Sequence, residues 1–293
     1  MPDKIAVITL PSITSPTEQT DFLSQAKNII SRNKEKLRLT LPIMLPIFSS
    51  GISGDVEQAF LQLNHAGFAN FEKIYLLAHG TVLGIKHPKH QGITIHAAEL
   101  ALKFMDVGGM RKAIQDQLGV ALRKPGGGFS HYTTCLRLLA CNTGLQDINN
   151  PKVYSTTSAK TYLHDFANQI GNQIIKTLAL LNSQYPQSYR LSNLEINIVL
   201  QAPAGWNVIM NSGETVVYHS DTVHEAAADK AMETAYRISR SKAHMYADKN
   251  IAPFIKLNDQ KKLTVNIRIN KFAGIQKLER EIVEMNRTGF SGD

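Results

Sequence analysis

Residues 73–80 read KIYLLAHG, an aliphatic run that stops at a histidine followed by a glycine. Residues 136–142 read LRLLACN and repeat this pattern, with a cysteine at the point where the apolar run stops. Short aliphatic runs bounded by polar residues are typical of strands buried in a parallel sheet. We therefore predict strands over 73–78 and 132–140.

Helices and strands alternate on either side of these two runs. The helix predicted to begin at Pro16 has a capping box, with Ser15 before it and Glu18 three positions after Ser15. Alternation of this kind is typical of an α/β fold, a mostly parallel sheet with helices on both faces. Further strands are expected over 5–10, 41–48 and 194–200, and helices over 16–32, 55–67, 95–105, 110–118 and 162–174.

The pattern changes near residue 222. A hairpin is predicted over 206–218, then a helix over 225–246, a short strand over 262–269 and a final helix over 275–285. We therefore expect a main domain over 1–220, followed by a small α+β appendage over 221–293.

The chain is basic, with 32 Lys and Arg against 24 Asp and Glu and a net charge of +8. The basic residues are scattered and aromatic residues make up only 7% of the chain, so the interleaved patch that binds nucleic acid is not present. We expect an ordinary soluble surface and no nucleic-acid partner.

The sequence also bears on location. No apolar run reaches the roughly 18–20 residues that cross a bilayer, and the run over 5–10 is too short for a signal peptide. We expect no membrane span and a cytoplasmic location, or delivery into a host cell cytosol if the chain is a bacterial effector. The two cysteines, Cys135 and Cys141, lie too close along one strand to staple a fold, which favours a reducing compartment.

His79 and Cys141 each follow the carboxyl end of a predicted strand, where open α/β sheets bind their ligands. If the two strands are adjacent, the imidazole and the thiol meet at one edge of the sheet. A thiolate that attacks and an imidazole that transfers the proton are the parts of nucleophilic catalysis. Gly80 lets a substrate approach the backbone, and its N–H with that of Cys141 suits an oxyanion hole.

This layout resembles that of the caspase-like (clan CD) cysteine peptidases, most closely the branch of clostripain, the gingipains and the autoprocessing domains of bacterial toxins. In that family one hydrophobic strand ends in His-Gly and a later one in Ala-Cys or Gly-Cys, like Ala78-His79-Gly80 and Ala140-Cys141 here. Weaker matches lie at 94–102, 141–144 and 199–205. The resemblance covers roughly residues 4–220 and leaves the appendage unexplained.

The resemblance implies a cysteine endopeptidase without cofactor or metal, acting on a protein or peptide. His79 and Cys141 are its expected dyad. Relatives that cleave after Arg or Lys have an acidic residue two positions before the nucleophile, where this chain has Leu139, so an apolar or small residue before the scissile bond is expected. Arg137 either selects an acidic side chain or is a surface arginine, and Trp206 is either a subsite residue or a core residue.

Other interpretations stay open at this point. The chain is alternatively a catalytically inactive caspase-like module that binds a protein or an anionic partner. Toxin domains of the clan respond to inositol hexakisphosphate, which makes a polyphosphate activator a further possibility. The same dyad also suits acyl transfer or deamidation. His87 and His90 lack an evident third metal ligand, and Cys135 is interpreted as a core residue. The basic residues for an anionic partner are Lys261, Lys262, Arg268 and Lys271.

Overall fold

The computed structural model describes most of the chain. The described residues are 4–12, 15–37, 45–48, 56–81, 83–90, 92–122, 129–141, 143–144, 161–184, 193–203, 206–209, 213, 215–218, 255–256, 260–272 and 275–286. The helix expected over 225–246 lies outside them.

A seven-stranded sheet forms the centre of the protein. Its five parallel strands are β1 (Lys4–Leu10), β2 (Leu45–Phe48), β3 (Phe71–Ala78), β7 (Phe129–Leu139) and β8 (Asn193–Pro203). Antiparallel strands β12 (Gln260–Phe272) and β13 (Ile275–Asn286) complete one side. The order β2-β1-β3-β7-β8-β12-β13 places β3 and β7 side by side near the middle. The predicted parallel sheet is confirmed.

Helices cover both faces of this sheet. On one face, the even-numbered side chains of β1, β3, β7 and β8 pack against four helices: α2 (Val56–His65), α3 (Ala97–Leu102), α4 (Met110–Leu122) and α5 (Tyr162–Ser183). On the other face, α1 (Pro16–Leu37) packs its Phe22, Ala26 and Ile29 against Tyr75, Leu77 and Leu139. Alternation of strand side chains explains why even and odd positions reach opposite helical layers.

Two small antiparallel sheets flank the central one. The first follows β3 directly and consists of β4 (Gly80–Thr81), β5 (Gly84–Lys86) and β6 (Thr94–Ile95). The second consists of β9 (Trp206–Ile209), β10 (Thr215–Tyr218) and β11 (Ile255–Lys256), and includes the predicted hairpin.

The C-terminal residues differ from the prediction. The prediction of a helix over 275–285 is wrong, because this segment belongs to strand β13, which pairs along its whole length with residues 261–272 of β12. The mixed charges of this segment do not distinguish a helix from an edge strand, since both carry charged residues on their exposed sides. Strand β12 in turn pairs with β8 along its length, so both strands belong to the central sheet. The domain boundary at 220 stays a prediction.

Within the part of the chain that the structure describes, no helix has the length and apolar character to cross a membrane.

Candidate active site

The register of β3 and β7 brings His79 and Cys141 to one edge of the sheet. The last aligned pair is Leu77 with Leu139, and both side chains pack in the cluster beneath α1. Side chains two positions apart along a strand share a face. His79 follows the last residue of β3, and Cys141 lies two residues past the last residue of β7, so both residues lie at the carboxyl ends of adjacent parallel strands. The pairing of β3 with β7 is as expected, and the role of His79 and Cys141 as a catalytic dyad stays a prediction.

Gly80 brings the two strand ends into direct backbone contact. A Cβ atom built on Gly80 would lie 2.8 Å from the carbonyl carbon of Ala140 and 2.8 Å from the amide nitrogen of Cys141, and closer still to the Cys141 carbonyl oxygen. Only glycine fits against this backbone. The predicted oxyanion residues, Gly80 and Cys141, are thus neighbours in space.

His79 is held from the side of α1. Its Nε2 lies 3.0 Å from Oε1 of Glu18, and its ring centroid lies 5.3 Å from that of Phe22 at a tilt of 59°. The His79 carbonyl oxygen accepts a hydrogen bond from the backbone N–H of Lys86 at 2.9 Å, which fixes the main chain through β5. The imidazole remains about half exposed and is accessible from the sheet edge.

Cys141 is partly buried against strand β9. The backbone N–H of Asn207 donates to its Sγ at 3.3 Å, and the Asn207 carbonyl oxygen lies 3.9 Å from the same sulfur. Burial raises the pKa of the Cys141 thiol, although the Asn207 and Cys141 backbone hydrogen bonds and the charge of Lys86 act in the opposite direction. This burial favours the protonated thiol over the thiolate.

The residues after Cys141 are fixed by hydrogen bonds to α5 and β8. Thr143 is buried and its hydroxyl donates to the Ala140 carbonyl oxygen at 2.7 Å. The Thr143 carbonyl oxygen accepts from the N–H of Leu163 in the first turn of α5 at 3.1 Å, and the N–H of Gly144 donates to Pro203 at 2.8 Å. Hydrogen bonds to α5 and β8 therefore hold the turn that contains Cys141.

The three residues expected to bind substrate lie in different surroundings from one another. Leu139 is 1% exposed and packs in the core beneath α1, so its side chain lines no open subsite. Arg137 lies on β7, four residues before Cys141, with its guanidinium 5.7 Å from the ring centroid of Tyr75. Trp206 begins β9 next to Asn207, the residue in contact with the thiol, and its assignment as a substrate residue stays a prediction.

The remaining candidates form no second site. The rings of His87 and His90 lie 4.8 Å apart, and His87 Nδ1 accepts from the Lys89 N–H at 3.1 Å. Among the described residues, no three His, Cys, Asp or Glu side chains are grouped to hold a metal ion. Cys135 is partly buried, and burial raises the pKa of its thiol.

Glu18 is the site residue that the sequence interpretation missed. It was assigned to the helix cap, and the first half of the capping box is present, since the Glu18 N–H donates to Ser15 Oγ at 3.3 Å. The Glu18 carboxylate instead turns towards His79, a contact between segments far apart in the sequence. Only the fold brings them together.

Comparisons with known proteins add no assignment: no protein-family model matches the chain, and no curated protein matches it.

Proposed function

We propose that the protein is a cysteine endopeptidase of the caspase-like type, with Cys141 as nucleophile and His79 as general acid and base. The observation that carries this proposal is the pairing of β3 with β7, because His79 and Cys141 follow the same end of these adjacent parallel strands. The close contact of Gly80 with the Cys141 backbone supports it, because the absence of a side chain at Gly80 lets the two strand ends lie against each other.

The reaction proceeds through an acyl-enzyme. His79 takes the proton of the Cys141 thiol, and the sulfur attacks the carbonyl carbon of the scissile peptide bond. The oxyanion that forms is stabilised by the N–H groups of Gly80 and Cys141. The C–N bond then breaks, the amine leaves with the proton from His79, and a thioester remains. Water gives a proton to His79 as it attacks the thioester, and the acid product leaves as the proton returns to sulfur.

The burial of the thiol supports the proposed role of His79 as a base. Because burial raises the pKa of Cys141, little thiolate exists at neutral pH without a base nearby. Proton transfer to a positioned imidazole supplies about 10²- to 10⁴-fold in rate in enzymes of this kind. The same chemistry carries out acyl transfer if an amine replaces water, and product analysis separates the two.

We propose a preference for an apolar or small residue before the scissile bond. The support is the sequence resemblance alone, since Leu139 stands where relatives that cleave after Arg or Lys have a carboxylate. Cleavage of a peptide library tests this directly: enrichment of apolar or small residues is expected, and strict selection of arginine or lysine contradicts it.

An inactive caspase-like interaction module is the second candidate. It is favoured by the contact of Cys141 Sγ with the backbone of Asn207, which leaves the thiol partly buried. An anionic ligand has weaker support. A cavity of about 470 Å³ on β12 and β13 is lined among described residues by Asn266, Arg268, Arg280 and Glu281, and its charges are mixed.

Peptide hydrolysis by three variants tests the proposal. Cys141→Ala and His79→Ala are each expected to abolish turnover without loss of the folded state. Cys135→Ala is the matched control, because Cys135 lies within β7, six residues before Cys141. Undiminished hydrolysis by Cys141→Ala contradicts the proposed mechanism. An inactive wild type that takes up no active-site label favours the interaction module.

A further inference from the structure

The first turn of α1 carries a carboxylate that contacts the catalytic histidine. Oε1 of Glu18 lies 3.0 Å from His79 Nε2 and accepts the backbone N–H of Ser12 at 2.5 Å. The Glu18 side chain is 22% exposed, less than half the exposure of His79. A carboxylate held by a main-chain donor and shielded in this way has a fixed position relative to the imidazole.

The helix cap alone does not account for this geometry. In a capping box the glutamate returns to the N–H of the capping residue, which here is Ser15. The carboxylate instead reaches Ser12, outside the helix, and His79, at the end of β3. Ser15 Oγ separately accepts the Glu18 N–H at 3.3 Å, so capping by the serine does not depend on the Glu18 carboxylate.

We infer that Glu18 is the positioning residue of His79, an inference that rests on the proposed function. A carboxylate at Nε2 accepts a hydrogen bond, so it holds the ring proton on Nε2. The lone pair is then on Nδ1, and Nδ1 is the atom that takes the proton from the Cys141 thiol. Phe22 packs against the ring and limits its rotation. When His79 becomes an imidazolium, the negative charge of Glu18 stabilises it.

The site therefore works as a chain of four groups. The Ser12 N–H orients Glu18, Glu18 orients His79 and sets its tautomer, and His79 activates Cys141. Helix α1 has a second role in the same site, because Gly213 of the β9–β10 hairpin packs on Asn28 and Ile209 of β9 packs beneath α1. One helix thus supports both the general base and the strand that contacts the thiol.

Steady-state kinetics of three variants test the role of Glu18. Glu18→Ala is expected to lower kcat about 100-fold, because the position and the tautomer of the base His79 are no longer controlled. KM is expected to stay unchanged, because no contact with the substrate is lost. Glu18→Gln keeps the length of the side chain but loses the charge, and its amide N–H can donate to Nε2 and select the Nδ1–H tautomer, so its kcat is expected to fall as well. Ser15→Ala is the matched control: it removes the helix cap and leaves the carboxylate, so kcat is expected to stay unchanged.

A second measurement reads the tautomer without any activity. In the full chain labelled with ¹⁵N-histidine, long-range ¹H–¹⁵N spectra distinguish Nε2–H from Nδ1–H rings, and His79→Gln assigns the signal among the ten histidines. At a pH where the ring is neutral, wild type is expected to show Nε2–H at His79 and Glu18→Ala a mixture. Ser15→Ala is expected to keep the wild-type pattern.

The outcomes separate this inference from the proposed function. An Nε2–H signal that Glu18→Ala abolishes supports the positioning role even if no peptide is cleaved, in which case only the peptidase proposal fails. An Nδ1–H or mixed signal in wild type overturns the positioning role even if Cys141 proves catalytic. An equal loss of kcat in Ser15→Ala and Glu18→Ala also overturns it, because helix stability then explains both.

Discussion

The replacement of Gly80 with alanine is expected to disable the site through the backbone. The new Cβ would lie 2.8 Å from the carbonyl carbon of Ala140 and from the amide nitrogen of Cys141. Real Cβ atoms essentially never approach other atoms below 3.0 Å, and ordinary contact begins near 3.4 Å. The ends of β3 and β7 must therefore move apart by several tenths of an ångström, and the neighbouring atoms are main chain that cannot rotate away.

The expected magnitude follows from this displacement. Overpacking of an ordered region costs about 1–3 kcal/mol in free energy of unfolding. For a chain of this size that corresponds to a fall in Tm of roughly 2–10 °C. The displacement separates the base from the nucleophile, and misplacement of reacting groups by ~1 Å costs up to about 100-fold in rate. We expect kcat/KM for peptide hydrolysis to fall about 10- to 100-fold, well beyond the stability effect.

Gly171→Ala is the matched control for this substitution. Gly171 lies inside α5, where the nearest atom to a new Cβ is Cδ of the flexible Arg280 side chain at 3.1 Å. Alanine is favoured over glycine in a helix by about 1 kcal/mol, so stability is expected to hold or rise and kcat/KM to stay unchanged. Full activity in Gly80→Ala, with a normal melting curve, would refute the tight contact between the two strand ends.

Three further predictions concern pH and capping. The free energy of unfolding is expected to fall as pH rises above about 8.5. Burial raises the pKa of both cysteines and of Tyr132 and Tyr162, so the unfolded chain loses these protons at a lower pH than the folded chain. Each group contributes at most about 1.4 kcal/mol per pH unit, and urea titrations at pH 7, 9 and 10.5 measure the sum of these contributions. Tyr132→Phe is expected to flatten the fall above pH 10, and an unchanged slope refutes this assignment. In His79→Ala, the rate of Cys141 alkylation by iodoacetamide is expected to be low at pH 7 and to keep rising above the pH at which an ordinary thiol is fully ionised. A rate equal to that of wild type at pH 7 contradicts the need for a base. Thr161→Ala is expected to cost about 1 kcal/mol, because the Thr161 hydroxyl accepts the His164 N–H at the start of α5, and kcat should not change; a loss below about 0.3 kcal/mol contradicts the cap.

Sequence periodicity was sufficient for the parallel part of the fold. The runs 73–78 and 132–140 favour strands, because they are shorter than a typical helix and are rich in aliphatic residues. The polar residues that follow them mark the edge where the site lies. His79 and Cys141 were therefore predictable as neighbours once β3 and β7 were taken to be adjacent.

Edge strands and long-range polar contacts were not predictable in the same way. The residues of β13 alternate weakly in polarity, since an edge strand is solvated, so their charges were misassigned to a helix. The burial of Leu139 depends on helix α1, and the contact of Glu18 with His79 depends on how that helix lies on the sheet. Local pattern holds no information on such packing.

Covalent labelling of the thiol tests the pairing of His79 and Cys141 most directly. The protein is treated at pH 7 with a peptidyl acyloxymethyl ketone that carries an apolar residue next to the ketone, and the labelled peptide is identified by mass spectrometry. Stoichiometric label on Cys141, none on Cys135, and a loss of labelling in His79→Ala are expected. Label shared equally between the two cysteines, or labelling of Cys141 that does not change in His79→Ala, would contradict a catalytic pair at this edge of the sheet.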